Sequence, residues 1–241
     1  MILIRYLGGK SRILKDIVPI LQDYSDKCDG YIEPFVGGAN VIEHIKNNKK
    51  MGSDIDKYLI SLLKKVQSEP EDLPERITFE EYEKVRNNRD NYPMWYVGLV
   101  GYTASYGGKF FGGYARNFHG DNSGDISAGS IKALKKQNLK DIDFLCCDFR
   151  EYQPSEIKGK LFYCDIPYKN ATKYKSCLKF PYDLFYNWCK EIGKNNFVIV
   201  SEYEMPDDFK CIWEGKTYQM LDSKKLSGES LNRTEKLFIC G

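Results

Sequence analysis

The sequence predicts an α/β fold, a largely parallel sheet with helices on both faces, interrupted by a mainly helical insert. Three observations carry this expectation. Short apolar runs that close on a carboxylate or a turn alternate with amphipathic helical patterns, as in doubly wound sheets. Two Gly-Gly turns, Gly8-Gly9 and Gly37-Gly38, each lead into a helical pattern. The strand pattern stops near residue 67, after which charged and glycine-rich segments take over, and it returns at Phe144.

Composition narrows the class. A chain of 241 residues suffices for one large domain carrying an insert. Lys plus Arg is 36 and Asp plus Glu is 34, so any surface for a polyanion must be local. The eight cysteines show no C-x-x-C spacing and read as reduced core residues of a cytosolic protein. With only His44 and His119, a zinc site or a histidine-based triad is not expected, and no metal site is predicted. No apolar run is long enough for a signal peptide or a membrane span, which predicts a soluble protein.

In chain order, Gly8-Gly9-Lys10 is a glycine turn whose freed amides suit a carboxylate or phosphate, and Ile13, Ile17 and Leu21 mark one face of the helix that follows. Tyr31 to Glu33 reads as a strand, Pro34 to Gly38 as a glycine-rich turn, and Val41, Ile42 and Ile45 as the buried face of a helix. Met51 to Asp54 is a strand ending in acid, followed by a helix bearing Leu59, Leu62, Leu63 and Val66. Asp54 lies about 20 residues after the Glu33-Pro34 turn, the spacing at which doubly wound folds hold a ribose.

The proline-bearing joint Ser68 to Pro74 opens the insert, with a charged helix near Phe79 to Asn88 and an apolar one near Met94 to Ser105. Tyr106 to Phe118 packs five aromatics, four glycines, a Lys and an Arg into thirteen residues. Such a segment can approach nucleic acid closely, or equally form a glycine-rich hairpin with an aromatic core face. A further helix runs from Ile126 to Leu139, with Lys132, Lys135, Lys136 and Lys140 as a solvated face. Strands are expected at Phe144 to Phe149, Leu161 to Asp165, Phe197 to Glu202 and Lys236 to Cys240, with weaker ones near Lys210 to Trp213 and Thr217 to Leu221. A helix near Tyr182 to Lys194 buries Leu184, Phe185, Trp188, Cys189 and Ile192.

Glu33, Asp54, Asp148 and Asp165 each close a candidate strand, and in a parallel sheet those ends share one edge. Four acids interleaved with Gly-Gly turns suit a ligand rich in donors, such as an adenosine carrying an amino acid. Asp165-Ile166-Pro167-Tyr168 adds a stiff turn and a ring at that edge.

Tyr6-Leu7-Gly8-Gly9-Lys10, Glu33-Pro34-Phe35-Val36-Gly37-Gly38, Ser53-Asp54-Ile55-Asp56, Cys147-Asp148 and Asp165-Ile166-Pro167-Tyr168, in that order, resemble the motifs of Dam-type DNA N6-adenine methyltransferases. Asn232 to Leu237 resembles that family's last motif. The resemblance implies a Rossmann-like class I methyltransferase sheet formed by residues 1–66 and 141–241, with a target-recognition insert at 67–140 carrying a Gly/aromatic hairpin. It implies S-adenosyl-L-methionine as cofactor, held by Tyr6, Gly8, Gly9, Lys10, Glu33, Pro34, Phe35, Gly37, Asp54, Ile55, Asp148, Phe149 and Asp165.

Asp165, Ile166, Pro167 and Tyr168 match the catalytic tetrapeptide, with Ile166 standing where the family has proline. Arg5, Lys109, Tyr114, Arg116, Asn117, Asn232 and Arg233 are the corresponding candidates for DNA contact. The implied partner is double-stranded DNA with base flipping, with or without a cognate restriction endonuclease, for a cytoplasmic monomer or weak dimer. Two other readings fit the same motifs: a homologue that binds cofactor and DNA without transferring methyl, and an RNA methyltransferase on the same fold.

Overall fold

A computed structural model describes residues 10, 12–116, 126–169, 180–218 and 232–240. The helices are α1 Leu14–Ser25, α2 Lys57–Ser68, α3 Phe79–Asn87, α4 Met94–Thr103, α5 Ile126–Leu134 and α6 Tyr182–Gly193. The strands are β1 Gly30–Glu33, β2 Lys50–Asp54, β3 Ile142–Cys146, β4 Lys160–Asp165, β5 Phe197–Glu202, β6 Lys210–Tyr218 and β7 Asn232–Cys240. They form one mixed seven-stranded sheet in the order β3-β2-β1-β4-β5-β7-β6, a Rossmann-like arrangement. β2 pairs parallel with β3, and β4 parallel with both β1 and β5, while β7 is antiparallel to β5 and β6. The chain divides into two compact units, one built on Val36–Asp148 and the other on Arg12–Phe35 with the chain from Phe149 onward.

In the first unit Asp56 starts α2 by accepting the amides of Tyr58 (2.8 Å) and Leu59 (3.2 Å), and the apolar face Leu59, Ile60, Leu62, Leu63 and Val66 is buried. α4 is buried on nearly all sides and reaches α2 through Gly98, where an added Cβ would stand 2.3 Å from the Tyr58 carbonyl. Close helix approach therefore requires glycine there. Gln67, at the end of α2, donates through Nε2 to the carbonyls of Leu139 (2.6 Å) and Ile142 (2.7 Å), pinning the two ends of the 67–140 segment together.

In the second unit, α1 buries Ile17 and Leu21 completely and tolerates Pro19 on its exposed side, where water can serve the Lys15 carbonyl that a residue with an N–H would have bonded. The central strand β4 buries Leu161, Phe162, Tyr163 and Cys164, as a strand flanked on both sides must.

Several expectations change. The helix predicted around Val41 and Ile45 is a single 3-10 turn, Ile42–His44, because Ile45 turns extended and the Asn47 side chain accepts the Lys49 amide (3.0 Å) to start β2. β3 ends at Cys146, so Asp148 lies just past its strand rather than closing it. α5 stops at Leu134, short of the predicted Leu139. The glycine-aromatic segment is a loop closed by one antiparallel bridge, Ser105 to Tyr114, instead of a hairpin ladder; Gly107 and Gly108 take positive φ there and spend residues on turning. The two weak strands expected near 210–221 are one continuous strand, β6, with an irregularity between Cys211 and Trp213, and β7 begins four residues earlier than predicted. Among the described cysteines, all free, Cys164, Cys189 and Cys240 are buried but Cys146 and Cys211 are exposed, so burial holds for only part of the set.

Candidate active site

The strand order reverses between β1 and β4, and in open α/β sheets ligands bind outside the carboxyl ends at such a reversal. Glu33 closes β1 and Asp165 closes β4. Glu33 is buried and accepts the Tyr31 hydroxyl at 2.7 Å, its neighbour on the same strand face. Burial, reinforced by Glu33, raises the Tyr31 phenol well above its ordinary range, so it remains the donor. Asp165 is half-buried, and its backbone pairs with Ser201 in the β4–β5 ladder.

Beyond Asp165 the ladder cannot continue, because Pro167 has no N–H to donate. Side chains take over. The Tyr182 hydroxyl, at the start of α6, donates to the Pro167 carbonyl at 2.7 Å. The Tyr168 hydroxyl donates to Glu235 Oε2 at 2.5 Å and lies 3.0 Å from the Ser201 hydroxyl, which is left to act as donor. The Lys169 amide donates to Glu202 Oε2 at 2.9 Å. Three successive residues are thus fixed at three points, with Asp165 half-open to solvent at their head.

Tyr168 is almost entirely covered, with its ring edge against Tyr203 at 4.7 Å, so it presents little free face. Burial first, then Asp165 and Glu235, push its phenol well above 10, and it stays protonated. Glu202 is pushed up to about 7, mainly by burial and further by Glu235 and Asp165, against the amides of Tyr203 and Lys169. Phe35 and Phe149 come together as expected, 5.6 Å apart, and share a ring cluster with Phe180, Phe185 and, for Phe149, Trp188. Phe149 is buried within that cluster and acts as packing beneath Phe35, which is half-buried.

In the first unit the glycine-rich turn and the β2 acid are joined directly. The Val36 amide donates to the Ser53 carbonyl at 2.8 Å, Gly37 has φ 49° and Ala39 φ 58°, and an added Cβ at Gly52 would stand 2.7 Å from Val36. Asp54 is pushed up to about 6 by burial, and the backbone amides of Asp56, Gly37 and Ile55 hold it down against that burial and the Asp56 charge. Beside it Ile55 is 72% exposed, an apolar face next to a carboxylate. Asn40 Oδ1, in the same loop, is buried with no partner among the described residues. A backbone free to approach a ligand, an acid, an open apolar face and an unsatisfied acceptor suit a nucleoside-bearing cofactor. Lys10 is buried and Asp148 half-buried.

Tyr114 is half-buried; its hydroxyl donates to the Ile77 carbonyl at 2.9 Å and its ring packs on Tyr82 and Phe79. Lys109 and Arg116 are exposed, Arg116 lying 4.7 Å over the Phe79 ring. Asn232 and Arg233 pair through their backbones with Tyr218 and Thr217. Arg5, Tyr6, Gly8, Gly9 and Asn117 lie outside the described residues.

Residues 6–95 match the model of the family described as D12 class N6 adenine-specific DNA methyltransferase. Over that stretch the chain is similar to the D12 class adenine methyltransferases. It is 27% identical over 193 residues to the type II methyltransferase M.FokI of Planomicrobium okeanokoites, an alignment covering 70% of this chain and 29% of that protein. The chain therefore spans less than a third of the length of the curated relative it matches. A solved Haemophilus influenzae structure described as a methylase aligns over 95% of this chain and 88% of its own at 10% identity with a TM-score of 0.38, too low to support an argument. Among the described residues no helix is long and apolar enough to cross a membrane, and no cluster of His, Cys, Asp and Glu could hold a metal.

Sequence reasoning missed the residues that fix the Asp165–Tyr168 segment: Tyr182, Ser201, Glu202, Tyr203 and Glu235. Signals for two of them were present: Glu202 closes a core strand, and Glu235 lies within the Asn232 to Leu237 motif.

Proposed function

We propose that the protein is a site-specific DNA methyltransferase that moves a methyl group from S-adenosyl-L-methionine to N6 of an adenine flipped out of duplex DNA. The observation that carries this reading is the three-point anchoring of Pro167, Tyr168 and Lys169 with Asp165 half-open at their head, in a chain whose residues 6–95 match an adenine-specific family. Asp54 and Ile55 are assigned to the cofactor's ribose and adenine, Phe35 and Gly37 to its amino-acid part, and Asp148 to its base. Residues 1–66 and 141–241 form the catalytic part and 67–140 the recognition part, with Lys109 and Arg116 on phosphate or base edges. S-adenosyl-L-methionine supplies an electrophilic methyl group on a sulfonium.

Adenine N6 is a poor nucleophile because its lone pair is delocalised into the ring. Asp165 and the Ile166 carbonyl accept the two N6 hydrogens, which favours a pyramidal nitrogen with its lone pair free. Ile166 keeps that carbonyl where the resembled family has proline, and Pro167 still restricts its ψ. Because the Tyr168 ring is turned inward, its role is to hold this turn more than to offer a stacking face. Taking the base out of the duplex requires unstacking, which phosphate contacts around the site offset.

Incubation with labelled cofactor and unmethylated duplex DNA, followed by digestion and base analysis, tests the reading. Label in N6-methyladenine is expected, and its loss in Asp165→Ala. Label in RNA alone, or no transfer by folded protein, overturns it.

A further inference from the structure

The last pair of the β4–β5 ladder is Asp165 with Ser201, and Pro167 prevents any continuation. Two residues after Pro167, the Lys169 amide is caught by a side chain at the end of the neighbouring strand β5. Glu202 receives the Lys169 amide on Oε2 at 2.9 Å and the Tyr203 amide on Oε1 at 2.7 Å. We propose that Glu202 is a positioning residue for methyl transfer, whose carboxylate fixes the end of the Asp165–Tyr168 segment through the Lys169 amide. The inference rests on the methyltransferase reading and adds to it a residue outside the catalytic tetrapeptide.

Both oxygens of Glu202 are used, and each accepts an N–H. Only an ionised carboxylate supplies an acceptor at both positions; the acid form turns one oxygen into a donor aimed at an amide. An apolar side chain would fill the same buried position at lower cost, since Glu202 is only 1% exposed. A carboxylate kept there against burial, with its ordinary proton affinity raised to about 7, is better explained by the amide it holds than by packing. Glu235 from β7 and Asp165 from β4 oppose its ionisation, with the Lys169 and Tyr203 amides on the other side, while the Tyr186 phenol on α6 is raised by burial and by Glu202 and stays neutral. Loss of its charge as pH falls through neutrality leaves one acceptor for two amides, so the Lys169 bond, one of the three anchors of the turn that presents Asp165, is weakened.

Methyl transfer to duplex DNA is measured from pH 5.5 to 9 for the full-length wild type and Glu202→Gln, with the Lys169 amide signal followed by NMR over the same range in the wild type. The expected result is a wild-type kcat that rises through a limb near pH 7 and a Lys169 amide that titrates with the same midpoint. At pH 8 Glu202→Gln loses about tenfold in kcat, with KM for DNA and cofactor nearly unchanged, and lacks the limb. A purely structural role would lower thermal stability without moving the pH profile. An active wild type whose variant keeps both kcat and limb, or a Lys169 amide indifferent to pH, overturns this inference alone. A folded wild type that transfers no methyl overturns the functional reading, and this inference with it. Should Glu202→Gln not fold, coincidence of the wild-type kcat limb with the Lys169 titration still decides, because non-coincidence removes the link between them.

Discussion

Replacing Glu202 by Gln also has a consequence for stability that depends on no assumption about function. An acid whose affinity for its proton is higher in the fold contributes stability that is complete below its unfolded value, 4.5, and lost as pH rises through about 7. The gap corresponds to about 3 kcal/mol at roughly 1.36 kcal/mol per pH unit. Glutamine carries no such titration. The unfolding free energy of Glu202→Gln, measured against wild type by urea denaturation, should therefore move by about 3 kcal/mol in the variant's favour between pH 4.5 and pH 8, at unchanged m-value. Asp54, raised to about 6, titrates in both proteins and cancels from the difference. A difference that stays constant over this range, or that moves in favour of the wild type, would refute the account of Glu202 as a buried carboxylate held ionised by two amides. If the account is right, the variant is relatively more stable at pH 8 and less active there, the trade expected of a strained functional site.

Three further outcomes follow from the packing. Gly98→Ala forces a methyl against the Tyr58 backbone and should cost about 2 kcal/mol or more in urea denaturation, whereas Gly129→Ala, in open space on α5, should be neutral or slightly stabilising. Asp56→Ala removes the cap of α2 and the acceptor of the Tyr102 hydroxyl at 2.5 Å, for a loss of about 2 kcal/mol by the same assay. Tyr182→Phe removes the bond to the Pro167 carbonyl; stability should fall by about 1 kcal/mol, while kcat for methyl transfer falls and KM holds.

Much of this architecture is legible in the chain because the signals are local. Leu161 to Cys164 is a continuous apolar run, and a run of that length between turns can be buried only as a strand with neighbours on both sides. The spacing of Leu59, Leu62, Leu63 and Val66 fixes a helix face, and Asp56 caps that helix by its own side chain. Gly37 with Asp54 was likewise readable, since a glycine turn followed by an acid at ribose-binding distance is a pattern along the sequence. Val41 to Ile45 misled because three apolar positions are consistent with one helical turn or several, and the choice was made by where β2 had to begin. Aromatic composition likewise does not say what a ring packs on; Tyr114 meets Tyr82 and the Ile77 carbonyl, more than 30 residues away in the chain.

By itself, the sequence determined the alternation of strands and helices, the acids Glu33, Asp54 and Asp165 that close β1, β2 and β4, and a motif order that resembles that of adenine methyltransferases. These depend on residues close together, whose periodicity and turn chemistry act within a few positions. Tertiary structure alone decided how Asp165-Ile166-Pro167-Tyr168 is held. Its supports, Tyr182, Ser201, Glu202 and Glu235, come from α6, β5 and β7, and a hydrogen bond between distant residues leaves no trace in spacing. Pro167 ends the ladder locally, but only the fold supplies the carboxylate that catches the next amide.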